Sequence, residues 1–383
     1  MSSSKKRILI FIDWFYPAYK AGGPVKSIYH ITENLANECD FFIVCSNQDL
    51  DGSRLDVLQN QWISKEHSEV MYLDQTHQNR KVFQKLYEEV NPQVIYYNNM
   101  FSFSFGIKPL WHFRKLKGVK QLLAPRGMLG EGALQLKAKK KKLFLRFAKK
   151  FLFRKSLNWH ASTKQEAKEI KKVIGLSTKV QIAQNLSSKP QLRKAESIRK
   201  QAGELRLVFI SRLSEKKNLY FLLELITNCD KLSQLRLDIY GPIDQGEYWN
   251  RCQSLIEDNH RIRYCGTLKP TEINQTLLNY HFFILPTLHE NYGHAIAEAI
   301  NIGVPVMISK RTPWSMLVSE GIGYDIELSD KNAWQLALKE AYALPEKDYL
   351  EMCKACYAYA QRNIVNSRIL KANRKLFTLE GKD

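Results

Sequence analysis

Short apolar runs recur along the chain, at 8–12, 41–45, 94–97, 121–124, 180–183, 207–210, 235–240, 262–265, 282–285 and 305–309. Each is predicted to be a strand. The unbroken run 8–12 is typical of a strand covered on both faces. Between the runs lie polar stretches and segments of helical spacing, such as 27–37, where Ile28, Ile31 and Leu35 recur at one face. Strand alternating with helix predicts parallel α/β architecture. A polar stretch, 185–203, interrupts the series with Ser187-Ser188-Lys189-Pro190 and predicts a domain boundary. The length of 383 residues also suits two domains, at roughly 100–200 residues each. The expected division is 1–188 and 205–345, with a helical segment, 346–383, at the end.

The stretch 282–306 carries the densest chemistry. A buried strand, 282–285, runs into the loop 286–290, and a helix follows over 294–300. This places Glu290 in the loop and Glu298 on the helix, eight positions apart. Both can face a pocket at the carboxyl end of the strand, where open α/β sheets bind ligands. Asn291, Tyr292 and Gly293 stand where the helix begins, so their backbone N–H groups and the helix dipole favour an anion. Carboxylates accept hydrogen bonds from sugar or ribose hydroxyls. Phosphate and hydroxyls together suggest a nucleotide sugar; the plainer alternative is an ordinary surface helix.

After the strand 207–210, Arg212 and Lys217 flank a helix start and could neutralise a departing diphosphate, Arg with a forked contact and Lys as a point charge. Lys216 rivals Lys217, and either could be a solvated loop lysine. In the first half, Gly22 and Gly23 follow the first strand and either present bare amides to a phosphate or make a tight turn. Neither of the common glycine-rich nucleotide fingerprints is present. Arg126, in Pro125-Arg126-Gly127-Met128-Leu129 after another strand, could bind phosphate or acceptor, or form a salt bridge within its loop. Trp314 either lies beside a sugar or packs in the core, and is left outside the site.

Composition changes this picture mainly through charge. Hydrophobic residues at 44% and charged residues at 25% fit a globular protein rather than a disordered one. The net charge is +20, and residues 1–188 hold 31 Lys and Arg against 15 Asp and Glu. Such a bias suggests a polyanionic partner, a membrane surface or a nucleic acid. The segment 134–155 concentrates it, with ten Lys and Arg, no acid, and Leu143, Phe144, Leu145, Phe147, Phe151, Leu152 and Phe153 interleaved. It is either a membrane-surface helix or a domain helix with solvated lysines. No named nucleic-acid module is visible, and none is expected as partner.

Seven cysteines, an odd number, fit reduced thiols. The pair Cys353 and Cys356 falls in a predicted helix, without a redox loop around it. Asp13 breaks the first apolar run too early for a signal peptide, and no run approaches the ~20 apolar residues of a membrane span. The expectation is a cytoplasmic protein, peripheral at the inner face of the plasma membrane if the basic segment lies on lipid.

The pair Glu290 and Glu298, the Asn291-Tyr292-Gly293 turn and the later Gly303-Val304-Pro305-Val306 resemble the retaining glycosyltransferases of family 4. The form Pro125-Arg126-Gly127-Met128-Leu129 is similar to a bacterial surface-polysaccharide branch of that family. The resemblance implies the GT-B fold, two Rossmann-like domains facing across a cleft, with acceptor on the first and nucleotide sugar on the second. It implies that the terminal helix crosses back to the first domain. It implies an enzyme of the hexosyltransferase type, EC 2.4, that retains anomeric configuration and uses a UDP-sugar as co-substrate, without cofactor or metal. The acceptor implied is a glycan or lipid-linked glycan.

By the same resemblance Glu290 contacts the donor sugar, Glu298 the ribose, Gly22 and Gly23 lie across the donor phosphates, and Arg212 and Lys217 hold the diphosphate. Two positions depart from the family: Asn218 replaces a usual Gly, and Arg126 stands near a usual histidine, which leaves acceptor activation without a named base. The rival readings are a GT-B-fold sugar-nucleotide epimerase, which would need no acceptor, and a non-catalytic polyanion-binding protein.

Overall fold

The computed structural model describes residues 5–135, 138–190, 199–229, 231–257 and 259–378. The chain divides into two compact units, 1–186 together with 367–383, and 187–366. The first unit is built on eight strands, β1 Lys6–Phe11, β2 Cys39–Ser46, β3 Trp62–Lys65, β4 Ser68–Leu73, β5 Val94–Tyr97, β6 Lys120–Leu123, β7 Asn158–Ala161 and β8 Val180–Ile182. Their order is β3-β4-β2-β1-β5-β6-β7-β8. All neighbours pair in parallel except β3 with β4.

The unbroken apolar character of β1 follows from its central place. Ile8 and Ile10 enter one core, against the helices Gly23–Leu35 and Ser367–Leu376. Leu9 and Phe11 enter the other, against Arg80–Val90, Ala138–Phe151 and Lys164–Ile174. A strand between two helical layers has no solvent face, so alternation disappears.

The second unit holds β9 Leu205–Ile210, β10 Leu235–Tyr240, β11 Ile262–Tyr264, β12 Phe282–Leu285, β13 Val306–Ser309 and β14 Gly323–Ile326. They form an all-parallel sheet ordered β11-β10-β9-β12-β13-β14. The chain winds outward from β9 to β11 on one side, then returns to lay β12, β13 and β14 on the other. Strand order therefore reverses between β9 and β12, as it does between β1 and β5 in the first sheet. At such a switch point the loops leaving the two strands diverge and open a crevice beyond their carboxyl ends.

Four strands differ from the sequence expectation. Strands β3, β4, β7 and β14 are absent from the apolar runs; β4 does hold one, Val70-Met71-Tyr72-Leu73, all buried, which the expectation omits, and the other three lack a plain one. In β7 the buried residues of Asn-Trp-His-Ala include His160, β14 opens on Gly323 and contains Asp325, and β3 is an edge strand with no fully buried residue. The expected single terminal helix is two, Glu346–Asn363 and Ser367–Leu376.

The first of these buries Tyr349, Cys353, Cys356 and Ala360 in the second-unit core, which explains why that unit extends to Asn366 rather than 345. The second buries Ile369 and Leu376 in the first unit, where Arg374 Nε pairs with Glu38 at 2.7 Å and Asn373 Nδ2 donates to the Gln184 carbonyl at 2.9 Å. At the other boundary the second unit starts at Ser187, because Asn301 Nδ2 donates to Ser187 Oγ at 3.1 Å and to the Ser188 carbonyl at 3.0 Å. Of the polar stretch 185–203, residues 191–198 lie outside the described residues.

Candidate active site

In the second unit the loops leaving β9 and β12 are stitched together at the switch point. Residues Glu215–Lys217 make one 3₁₀ turn, and Asn218 then adopts φ 58°, ψ 37°, the left-handed conformation that Asn tolerates better than most side chains. From there Asn218 Nδ2 donates to the Pro286 carbonyl at 3.0 Å. Leu288 N donates to the Lys216 carbonyl at 2.8 Å, and Thr287 Oγ1 donates to the same carbonyl at 2.9 Å. The backbone is thus fixed before any charge is placed on it.

The consequence is an ion pair between Lys217 Nζ and Glu290 Oε1, with side chains 14% and 10% exposed. Burial opposes ionisation of Glu290, but the cations of Lys217 and Lys216 and the hydrogen bond from Lys217 outweigh it, so the carboxyl titrates below its usual range. Glu290 N donates to the Arg311 carbonyl at 2.9 Å, which fixes the loop backbone that carries the carboxylate. Arg212 faces Asp244 at 3.6 Å, with about a third of each side chain exposed. A pair this open is weak, so Arg212 is the cation more readily given to a ligand.

The helix His294–Asn301 begins at Gly293, whose φ of 83° and ψ of 67° lie in the left-handed region. Its carbonyl accepts from Ile296 N at 3.0 Å and Ala297 N at 3.1 Å. A Cβ added at Gly293 would stand 2.8 Å from Ile296 Cδ1 and 3.5 Å from Trp314 Nε1. Trp314 donates through Nε1 to the Tyr292 carbonyl at 2.5 Å. The Tyr292 ring is itself buried, packed on Trp314 and His294. What this turn presents to a ligand is therefore backbone, not the Tyr292 ring, and Trp314 is a core residue that shapes it. Glu298 lies on the same helix and is 9% exposed.

Gly22, Gly23 and Arg126 belong to the first unit. Gly22 has φ 69° and precedes the helix Gly23–Leu35. A Cβ there would meet nothing within 4 Å, so its backbone angle, not crowding, calls for glycine. Asn98, which follows β5, donates through Nδ2 to the Pro24 carbonyl at 3.3 Å and accepts from Arg126 Nε at 2.7 Å. Arg126, at φ 55°, also donates from Nη1 to Asn185 Oδ1 at 2.6 Å and from Nη2 to Tyr96 Oη at 2.8 Å.

The anticipated alternative of a salt bridge within the Arg126 loop is corrected here: its partners are three neutral oxygens contributed by other segments. While the buried Glu166 carboxylate accepts from the next backbone N–H, Gly127 N, at 2.6 Å, the guanidinium is held by these three oxygens. Behind it His160 contacts Tyr96 Oη at 2.7 Å and the Ala183 carbonyl at 2.8 Å. Burial and the Arg126 charge push His160 down to about 3, so it is neutral.

One polar group at the first switch point escaped the sequence reading. Asp13, just beyond β1, accepts from Asn99 Nδ2 at 2.6 Å and from the Ser102 hydroxyl. Burial raises its carboxyl above the ordinary value despite both bonds. The available signal was Asn98-Asn99 directly after the unbroken strand 94–97, since polar side chains at strand ends line the crevice. Thus the structure brings Lys217 and Glu290 into contact, sets Gly293 and Tyr292 around one turn, and turns Arg212 to Asp244; in the first unit Asn98 ties Arg126 to Pro24, the residue after Gly22 and Gly23.

Residues 190–363 match the family model described as glycosyl transferases group 1. An uncharacterised glycosyltransferase of Methanocaldococcus jannaschii is 22% identical over 125 residues, 33% of this chain. The match spans about a third of that relative's length, 32%. Among solved structures, sucrose-phosphate synthase from Thermosynechococcus elongatus is similar at TM-score 0.76 and 15% identity, over 97% of this chain and 98% of that one. HepE of Anabaena, in complex with UDP-glucose, is similar at TM-score 0.68 and 14% identity, again over 97% and 98%. The fold, two α/β domains on parallel sheets, is that of GT-B glycosyltransferases.

Proposed function

We propose that the protein is a retaining glycosyltransferase of family 4, in its surface-polysaccharide branch, moving a hexosyl group from a UDP-sugar to a glycan or lipid-linked glycan at the cytoplasmic face of the plasma membrane. The observation that carries the reading is the Lys217–Glu290 pair at the β9/β12 switch point, beside the helix start at Gly293 and inside the segment matched by the glycosyltransferase family model.

In this reading the donor diphosphate lies on Arg212, Lys217 and the backbone N–H groups of residues 291–293. The C–O bond between sugar and diphosphate breaks, and the leaving group takes up negative charge. Cations and amides already aimed at that charge stabilise it most where water is excluded. Lys217 is ion-paired to Glu290, so diphosphate binding has to share or displace that partner. Glu290, once shared, is placed toward the sugar hydroxyls, and Glu298 receives the ribose hydroxyls. The acceptor hydroxyl attacks from the face the diphosphate leaves, which retains the configuration, and its proton departs with the diphosphate oxygen.

Gly22 and Gly23 approach the donor phosphates, and Arg126 receives an anionic or hydroxyl group of the acceptor. The test is calorimetry with UDP-, GDP- and ADP-sugars on wild type, Glu298→Ala and Arg212→Ala. Selective binding of one donor, lost in both variants, is expected. Wild type that binds none of them overturns the proposal, and donor conversion without any acceptor would make it an epimerase.

A further inference from the structure

The basic helix Ala138–Phe151 carries two apolar stripes, and only one is used by the core. Leu145 and Ala148, with Leu152 just beyond the helix, are buried against the sheet. Leu143, Phe147 and Phe151, four residues apart, form a second stripe that stays 70%, 46% and 45% exposed. A helix needs one such face to fold onto its domain. The second is left over by the core, and it is accompanied by Lys139, Lys140, Lys142, Arg146, Lys149 and Lys150, all cations along the same short helix.

At the carboxyl end of that stripe lies a pocket of 530 Å³. Its apolar wall is Trp111 and Phe151, with Trp111 stacked on Phe147 at 5.7 Å between ring centres. Its polar rim is Arg114, Lys150, Arg154 and Lys155. None of these four cations is paired with a carboxylate among the described residues. Arg114 lies 3.6 Å over the Trp111 ring and donates from Nη1 to the Trp111 carbonyl, so its guanidinium is pre-positioned. Burial, followed by the like charges of Arg154 and Arg80, pushes it below the usual range. Four crowded cations around a small aromatic-walled pocket call for an anion from outside.

We propose that this face docks on an anionic lipid surface, with one lipid phosphate seated among Arg114, Lys150, Arg154 and Lys155 while Leu143, Phe147 and Phe151 enter the interface. The geometry matches both parts of a lipid at once. Phosphate oxygens take forked and point contacts from Arg and Lys, and the exposed apolar stripe, which reaches the pocket at Phe151, suits acyl chains. Trp111 provides an amphipathic ring at the boundary. This deepens the proposed use of a lipid-linked acceptor and rests on that reading for its purpose, but lipid binding is measured without donor or acceptor, so the two stand or fall separately.

The experiment is sedimentation of the full-length protein with vesicles of phosphatidylcholine alone and with about 30 mol% phosphatidylglycerol, an anionic surface that attracts basic segments. Binding is expected only with the anionic lipid. Each cation near such a surface contributes on the order of a fivefold factor, so Arg114→Gln/Arg154→Gln should weaken binding about thirtyfold. Lys164→Gln/Lys168→Gln removes the same charge from exposed positions on the helix Lys164–Ile174 and should weaken it less than about threefold. Phe147→Ser should weaken binding about tenfold, with the circular dichroism spectrum and thermal midpoint checking that each variant is folded. Equal losses in the two charge pairs, equal binding to both vesicles, or retention by a polynucleotide with no vesicle binding would each overturn the proposal.

Discussion

Replacing Lys217 with Met tests whether the Lys217–Glu290 pair organises the second unit. Removing one partner of a fully buried pair costs about 3–5 kcal/mol. Here the side chains keep 14% and 10% exposure, and Lys216 and His289 also stabilise the Glu290 carboxylate, so about 2 kcal/mol is expected at pH 7. The assay is urea unfolding of wild type, Lys217→Met, Glu290→Gln and the double variant. The coupling energy from that cycle should fall at about 1–3 kcal/mol.

The pH dependence has a definite sign. In the wild type the Glu290 carboxyl is held below its ordinary 4.5, so its contribution is present above that value and lost as pH falls through the folded value. In Lys217→Met burial acts with less opposition, and the carboxyl moves up; its penalty is then relieved as pH falls. The stability gap between the two proteins must therefore be widest near neutrality and narrow in acid. A gap that is constant from pH 7 to pH 4, or a coupling below about 0.5 kcal/mol, would refute the reasoning.

Three further outcomes follow from the same geometry. Gly293→Ala should cost about 1–2 kcal/mol in unfolding, since the left-handed angle alone costs that much for a Cβ and the methyl would also press on Ile296; donor affinity should fall with it. Gly22→Ala meets no neighbour, but its φ of 69° and ψ of −116° lie outside the regions a Cβ tolerates, so it should cost about 1–3 kcal/mol of backbone strain alone, measured in the same way. Arg126→Met strips donors from Asn98, Asn185 and Tyr96, should cost about 2–3 kcal/mol, and should raise the His160 titration seen by NMR above about 3, because the Arg126 charge helps hold it down.

The parts of this fold that were legible in the chain are those where one physical demand acts alone. Strands β1, β5 and β12 are covered on both faces and read as unbroken apolar runs. Strand β7 was hidden because it carries a polar residue inside: His160 is buried, but its two ring nitrogens are met by Tyr96 and the Ala183 carbonyl, and those partners are 64 and 23 residues away. The break between the last two helices was hidden for a similar reason. The segment 346–383 read as one helical stretch, yet its apolar positions serve two different cores.

The candidate site divides along the same line. The placing of Glu290, Glu298 and Gly293 around one strand end could be read locally, because a strand, a turn and a helix start follow one another in a single stretch of chain. The pairing of Glu290 with Lys217 could not, because it depends on β9 and β12 lying side by side. Under the proposed function, that adjacency would turn a pair of ordinary charges into a device: a cation that leaves a carboxylate to hold a diphosphate would leave that carboxylate buried and newly available to hydroxyls. Donor binding would then create the sugar contact it requires, and Glu290→Gln, which takes from Lys217 the carboxylate it is paired with, should bind free UDP more tightly than wild type while binding the intact UDP-sugar less well. Calorimetry on the two ligands decides it, and equal changes for both would break the link between the pair and the sugar.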